Sequence, residues 1–337
     1  MPDDARLSQL HGSPPWLGVE GPAPMSYREA LPQVESGHFL TDAGMETWLV
    51  FQRGIELPEF AAFDLLKEEA GTEELRSYYE RYLELASRHG AGFILEAPTW
   101  RANPRWAKVI GYDEPELREL NEKASFLMEE LRAHAEPTAA GPIVISGCVG
   151  PHDDGYDPSE FLSVGDAERY HSEQVGVFAE TAADMVSALT MTYAEEAIGI
   201  VRAARAVEVP VVISFTLETD GRLPSGQSLG DAIDQVDEET GSAAAYFMIN
   251  CAHPTHFERV LDEDLPWLER IRGLRANAST RSHAELDEAT ELDDGDPADL
   301  GARYAALRSA LPTLSVLGGC CGTDHRHVAA ISDAWFG

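Results

Sequence analysis

The stretch M-V-S-A-L-T-M-T-Y-A-E-E-A-I-G-I-V-R-A-A-R-A-V-E-V-P-V-V-I-S-F-T, residues 185–216, holds one complete unit of the chain's organisation. An apolar, β-rich run from Met185 to Met191 gives way to a segment with helical spacing of apolar residues over 194–207. After V-E-V-P a second apolar run extends from Val211 to Thr216. Strands that are apolar throughout, separated by an amphipathic segment, are the signature of a βαβ unit in a parallel sheet covered on both faces.

Working outward, the same alternation recurs along the chain. The strand candidates are Phe39 to Ala43, Gly92 to Ala97, Pro142 to Gly147, Met185 to Met191, Val211 to Thr216, Ala244 to Asn250, Gly273 to Ala278 and Leu314 to Gly319. Helices are expected at 72–90, 114–135, 158–182, 194–207, 228–237, 255–264 and 298–311, with a last one after Asp324. Eight such units predict an α/β fold, a single (β/α)8 TIM barrel, which needs about 250 residues. The chain has 337, and the remainder goes to long loops and to residues 1–24, a proline- and glycine-rich stretch read as a flexible tail. Met25 is a candidate natural start, leaving 25–337 as one barrel domain.

Composition fits a globular chain, with 44% hydrophobic and 25% charged residues. The 59 acidic against 25 basic side chains leave a net charge of −34, and the only lysines are Lys67, Lys108 and Lys123. So acidic a surface repels nucleic acid and anionic lipid, which excludes both as main partners. It resembles the surfaces of salt-adapted proteins. The N-terminus M-P-D-D-A-R lacks the basic and apolar regions of a signal peptide, and no apolar run is long enough to span a bilayer. The expected location is the cytoplasm. From Glu285 to Asp299 there are eight acidic residues and no Lys or Arg, read as a solvated loop because calcium-loop spacing is absent.

In such a barrel the chemistry lies just past the C-terminal ends of the strands. There the sequence reads T-D-A-G-M-E-T (41–47), L-E-A-P-T-W-R-A-N (95–103), G-C-V-G-P-H (147–152), F-T-L-E-T-D-G (215–221), M-I-N-C-A-H-P (248–254) and G-G-C-C-G-T (318–323). Cys251 and the pair Cys320 and Cys321 therefore meet at the mouth from strands six and eight, with Gly318, Gly319 and Gly322 allowing the bend that brings adjacent cysteines to one side. Three soft thiolates select Zn2+ and leave its fourth position open. An electron-rich thiolate site suits activation of a further thiol better than hydrolysis. The alternatives are small buried hydrophobes or a strained vicinal Cys320–Cys321 disulfide; Cys148 is read as simply buried.

These residues resemble the homocysteine S-methyltransferase family over about Leu40 to Ile331. I-N-C (249–251) and G-G-C-C-G-T (318–323) match the family's zinc cysteines. T-D-A-G (41–44) resembles its D-G-x turn with Ala43 for glycine, and G-C-V-G-P (147–151) its G-S-V-G-P. The resemblance implies zinc at Cys251, Cys320 and Cys321, and a substrate pocket lined by Asp42, Ala43, Gly44 and Asn250. One departure stands against it: the glutamate of the family's E-T-x-P segment, which helps hold the amino group of homocysteine, is replaced by Leu189. Glu96 is nominated as the substitute acid, against an equally weighted salt bridge to Arg101 or Arg105; Glu218 and Asp220 are weaker candidates.

His253, His256, His325 and His327 follow the cysteines and are expected at the rim, and His152 is a candidate pocket residue. Trp48, Trp100, Trp106 and Phe215 are weighed as a cage for a methylated cation against simple packing. The expectation is a zinc-dependent S-methyltransferase acting on homocysteine to give methionine, with a small-molecule thiol acceptor and methyl donor. A different small thiol, or a separate corrinoid protein as methyl source, is the runner-up, and a non-catalytic zinc- or thiol-binding protein the alternative of another class. A homo-oligomer is compatible with the sequence.

Overall fold

The computed structural model describes residues 27–35, 37–261 and 265–337. The expected tail at 1–24 and the start at Met25 lie outside the described residues. Eight parallel strands close into a barrel in chain order: β1 (Phe39–Leu40), β2 (Gly92–Glu96), β3 (Ile143–Val149), β4 (Met185–Met191), β5 (Val211–Thr216), β6 (Tyr246–Asn250), β7 (Ile271–Ala276) and β8 (Val316–Gly319). Each strand is followed by a helix of the outer ring: α1 (Glu69–Arg88), α2 (Glu114–Ala135), α3 (Val164–Ala179), α4 (Ala194–Ala206), α5 (Leu229–Thr240), α6 (Pro254–Phe257), α7 (Pro297–Ala306) and α8 (His325–Phe336). No helix among the described residues is long and apolar enough to cross a membrane.

Side-chain alternation explains both the closure and the position of the chemistry. Ile94, Val144, Met185, Val212, Met248 and Val316 form one buried cluster, which Leu31, Phe39 and Tyr246 complete. Two residues further along the same strands stand Glu96, Ser146, Ser187, Ser214 and Asn250, all buried. The inward face thus changes from apolar to polar toward the C-terminal ends. The opposite-parity residues, among them Phe93, Leu95, Ile145, Val186, Ile213, Phe247 and Leu274, pack under the helices in the main core.

Helix starts follow the caps. Asp113 and Glu116 form a reciprocal capping box on α2, Ser163 caps α3 and Asp324 caps α8. α3 starts later than expected because the Ser163 cap, not Pro158, sets its first turn. The helix expected at 255–264 is only the four residues of α6 and a 3-10 turn, Glu258–Leu261. The following D-E-D-L-P would set acidic side chains against a helix C-terminus and then a proline.

β1 is shorter than expected. Pairing with β2 ends at Leu40, while Thr41 and Asp42 stay bonded to β8 alone and then turn outward. β7 begins two residues earlier than expected, so Asn277 and Ala278 instead bond to the Ala252 and Cys321 carbonyls. The acidic 285–299 stretch is only partly solvated: Asp293 lies 3.4 Å from Arg281 and Asp294 2.8 Å from Arg326.

Candidate active site and metal centre

Cys251 follows β6, Cys320 and Cys321 follow β8, and their sulfurs all lie within 4.8 Å of one another. The expected convergence of three thiols is therefore present. Cys251 adopts a left-handed backbone (φ 53°), which takes its side chain out of the strand's alternation. β8 ends at Gly319, and Gly322 at φ 78° makes the turn that keeps Cys320 and Cys321 on one side. The structure joins Cys251 and Cys320 as a disulfide, so the vicinal Cys320–Cys321 alternative is not formed; Cys321 Sγ lies 3.9 Å from Cys251 Sγ. Gly44 brings the β1 loop against this turn, and a Cβ there would stand 2.5 Å from the Cys320 carbonyl oxygen. Among the described residues no other group of three or more His, Cys, Asp or Glu ligand atoms converges in this way.

Asp42, expected in the substrate pocket, is bonded to two side chains of the protein. Arg275 of β7 pairs with it at 2.8 Å and the Tyr78 hydroxyl donates to it at 3.0 Å. Burial raises the Asp42 pKa against the pull of Arg275, while Asp42 and Glu96 outweigh burial to hold Arg275 firmly charged. The Ala43 amide is taken up by the Tyr78 hydroxyl. Asn250 spends its amide on the frame: Oδ1 accepts from the Thr190 amide and Ser214 hydroxyl, and Nδ2 donates to Thr190 Oγ1 at 2.8 Å. That Nδ2 also lies 3.9 Å from Cys320 Sγ, so Asn250 ties the strained Thr190 turn (φ 65°) to the cysteines.

Glu96 points into the barrel beside Ser146 and Ser187, and its Oε2 is buried without a partner. Burial pushes its carboxyl up to about 7, moderated by Arg275 and the two serines. The salt bridge weighed for it is not formed. Arg105 pairs with Asp153 at 2.7 Å and Glu160 at 2.9 Å, and Arg101 lies 3.7 Å from Asp154. Strand alternation turns Glu96 inward, whereas Arg101 lies in the loop that leaves the strand and Arg105 on the helix Pro104–Ile110 that follows it. At Leu189 no carboxylate is present, and its carbonyl accepts from the Trp100 indole at 3.2 Å. Trp48 packs on Tyr78 and Phe215 stacks on Phe247, so these two belong to the core. Cys148 is a buried free thiol, as read.

Several site residues were not anticipated. The Tyr156 hydroxyl, from the loop after β3, donates to Cys251 Sγ at 3.2 Å and lies 3.5 Å from Cys321 Sγ. His283 packs against the Tyr156 ring and bonds the Cys251 carbonyl at 2.5 Å, with Glu218 at 3.3 Å from its other nitrogen. Burial pushes the Cys321 thiol up while the Tyr156 hydrogen bond draws it down. Burial likewise lifts Glu46, on the short helix Met45–Thr47, to about 7. Glu46 stands in the quoted T-D-A-G-M-E-T segment, but nothing in its spacing separates it from any surface acid, and Arg275 is one of two arginines in the β7 run I-R-G-L-R-A, of which only it is inside the barrel mouth.

The expected rim histidines stay away from the sulfurs. His253 caps α6, His256 bonds the Thr280 carbonyl, His325 is exposed, and His327 pairs with Asp324. His152 packs against Tyr170.

A parallel eight-stranded barrel with a converging cysteine triad and two near-neutral carboxyls at its mouth defines a barrel enzyme whose centre is built for sulfur. Over residues 39–335 the chain matches the homocysteine S-methyltransferase family model. The chain belongs to that family and is a methyltransferase. Among solved structures it is similar to the homocysteine methyltransferase MmuM of Escherichia coli. The oxidized form matches with TM-score 0.69 and 23% identity, over 89% of this chain and 96% of that one. The metallated form gives 0.66 and 21% over the same shares. At this identity the likeness establishes the fold.

Proposed function

We propose that this methyltransferase moves a methyl group from a small-molecule donor to the sulfur of homocysteine, giving methionine, with Zn2+ held by Cys251, Cys320 and Cys321. The convergence of three sulfurs, that of Cys251 buried and those of Cys320 and Cys321 half-buried, carries the reading. The donor set fits the ion: it is all thiol, with the Cys251–Cys320 pair reduced, and three protein ligands are the number that leaves a position for an acceptor. When bound, zinc favours the thiolate form of the acceptor sulfur at neutral pH.

The chain's own residues do the rest. Tyr156 reaches the sulfurs from the β3 loop, donating to Cys251 Sγ and lying in hydrogen-bond contact with Cys321 Sγ, which shields the centre from water and steadies negative charge on sulfur. Glu96, with an unpartnered oxygen, is the acid we assign to the acceptor's ammonium in place of the carboxylate missing at Leu189. The near-neutral Glu46 and Glu96 can each hold or release a proton close to physiological pH. Free thiols require a reducing compartment, which supports the cytoplasm. Leu189 is the observation that favours the second reading, a different small thiol as acceptor or a separate corrinoid protein as methyl source.

The test is metal content followed by binding. Purified reduced protein should carry one zinc per chain and its Cys251→Ala variant none. Calorimetry should then show homocysteine preferred over 4-mercaptobutyrate, which lacks the amino group, with that preference lost in Glu96→Gln. Equal binding of the two thiols in the wild type would shift the acceptor to a non-amino thiol; absence of zinc would refute the metal centre.

A further inference from the structure

Arg101, just past β2, is 8% exposed, yet its Nε and Nη1 are buried with no hydrogen-bond partner. Its guanidinium lies over the Trp106 ring at 3.6 Å from the centroid and 4.5 Å from that of Trp100. The Trp106 indole N–H is also buried and unpartnered. Two guanidinium nitrogens and one indole N–H, all without acceptors, therefore belong to a single Arg–Trp stack. Buried donors are ordinarily satisfied, and a guanidinium removed from water is costly without an anion. The one acid within ion-pair distance among the described residues, Asp154, stands 3.7 Å from Nη2 with its side chain 39% exposed, and leaves the other two nitrogens without a partner. The guanidinium is close enough to feel the charges of Tyr156, whose hydroxyl touches the Cys251 sulfur, and of Glu46 on the short helix after β1.

We infer that Arg101, with the Trp106 indole N–H, is the anchor for a substrate carboxylate, and so sets the specificity of this site for amino-acid or other carboxylate-bearing substrates. The inference deepens the methyl-transfer reading and rests on it for the identity of the substrates. A planar guanidinium with aromatic faces around it is pre-organised for a carboxylate, which a lysine would not match. In the acceptor the carboxylate and the ammonium share one carbon, so Arg101 and Glu96 would engage that carbon's two groups while the side chain carries the sulfur to the cysteines. The donor is the other source of a carboxylate.

Calorimetry on the zinc-loaded enzyme tests this with two matched pairs. One is homocysteine against 3-aminopropane-1-thiol, the same thiol without its carboxylate. The other is S-methylmethionine against (3-aminopropyl)dimethylsulfonium. The wild type should bind the carboxylate member of one pair at least tenfold more tightly, the scale of one charge-assisted hydrogen bond. In Arg101→Met the ratio should fall to near one, and in Arg101→Lys it should fall partway, with zinc content and melting temperature held. The pair that responds identifies which substrate carries the carboxylate. Should Arg101→Met fail to fold, Arg101→Gln serves in its place. If no thiol binds, the methyl-transfer reading fails, and sulfur-free 2-aminobutyrate still decides the assignment: saturable quenching of Trp100 and Trp106 emission in the wild type but not in the variant supports it. A carboxylate preference that survives loss of Arg101 in both pairs, or no carboxylate binding by the wild type, overturns it.

Discussion

Arg275 Nη2 stands 2.8 Å from Asp42 Oδ1 beside the cysteine turn, joining the seventh strand to the loop of the first across β8. Arg275 Nε also donates to the Gly319 carbonyl at 3.1 Å, immediately before Cys320. The pair therefore holds the turn that presents two of the three sulfurs. Breaking a buried pair strands the remaining charge, so Arg275→Met should cost about 3–5 kcal/mol. The double variant with Asp42→Asn should cost less than the sum of the two single changes. Urea denaturation of the four proteins measures this, and strict additivity would remove the coupling.

Tyr156→Phe removes the hydroxyl that draws the Cys321 thiol down. In reduced, metal-free protein the alkylation of Cys321 by iodoacetamide should then need higher pH than in the wild type. An unchanged pH profile would show that the phenol is only packed nearby.

Glu96→Gln should change how stability depends on pH. The folded carboxyl titrates near 7, above its model-peptide value near 4.5, so the native state holds an extra proton between those values. Stability contributed by this group is complete below about 4.5 and is lost as pH rises through about 7. The variant should therefore gain on the wild type across that window, by up to about 3 kcal/mol at pH 8. Melting curves of both proteins from pH 5 to 8 give the comparison; parallel curves would place Glu96 in a better-solvated setting.

Gly44→Ala forces a Cβ onto the Cys320 carbonyl. Zinc affinity should fall at least tenfold with little loss of helical content, because the strain falls on the cysteine turn. A competition titration with a chromophoric chelator would measure it, and wild-type affinity would mean that the two loops separate easily.

The net charge of −34 should make stability rise with salt as self-repulsion is screened. Melting temperature should increase between about 0.1 and 2 M KCl. A flat response would mean that the ion pairs already balance the surface.

What the sequence made legible was whatever leaves a periodic or compositional mark. Met185–Met191 and Val211–Thr216 match the strand limits expected for them because both runs are apolar throughout and bounded by helix or proline signals. Cys251, Cys320 and Cys321 could be found because thiols at strand ends in glycine-rich turns are rare. Tyr156 and His283 could not, since both reach the centre from long loops whose paths depend on tertiary packing. Glu96 was located correctly at the mouth, but its environment was not: inward strand parity, which decides between the serines and the arginines, turns on a single residue of register.

Cys251 and Cys320 are separated by 69 positions, with β7 threaded between them. A truncated or nicked product that ends anywhere in that interval keeps one sulfur of the trio and discards two. Retention of a thiophilic ion would consequently act as a proofreader of the polypeptide, distinguishing the closed barrel from any N-terminal fragment that ends before Cys321.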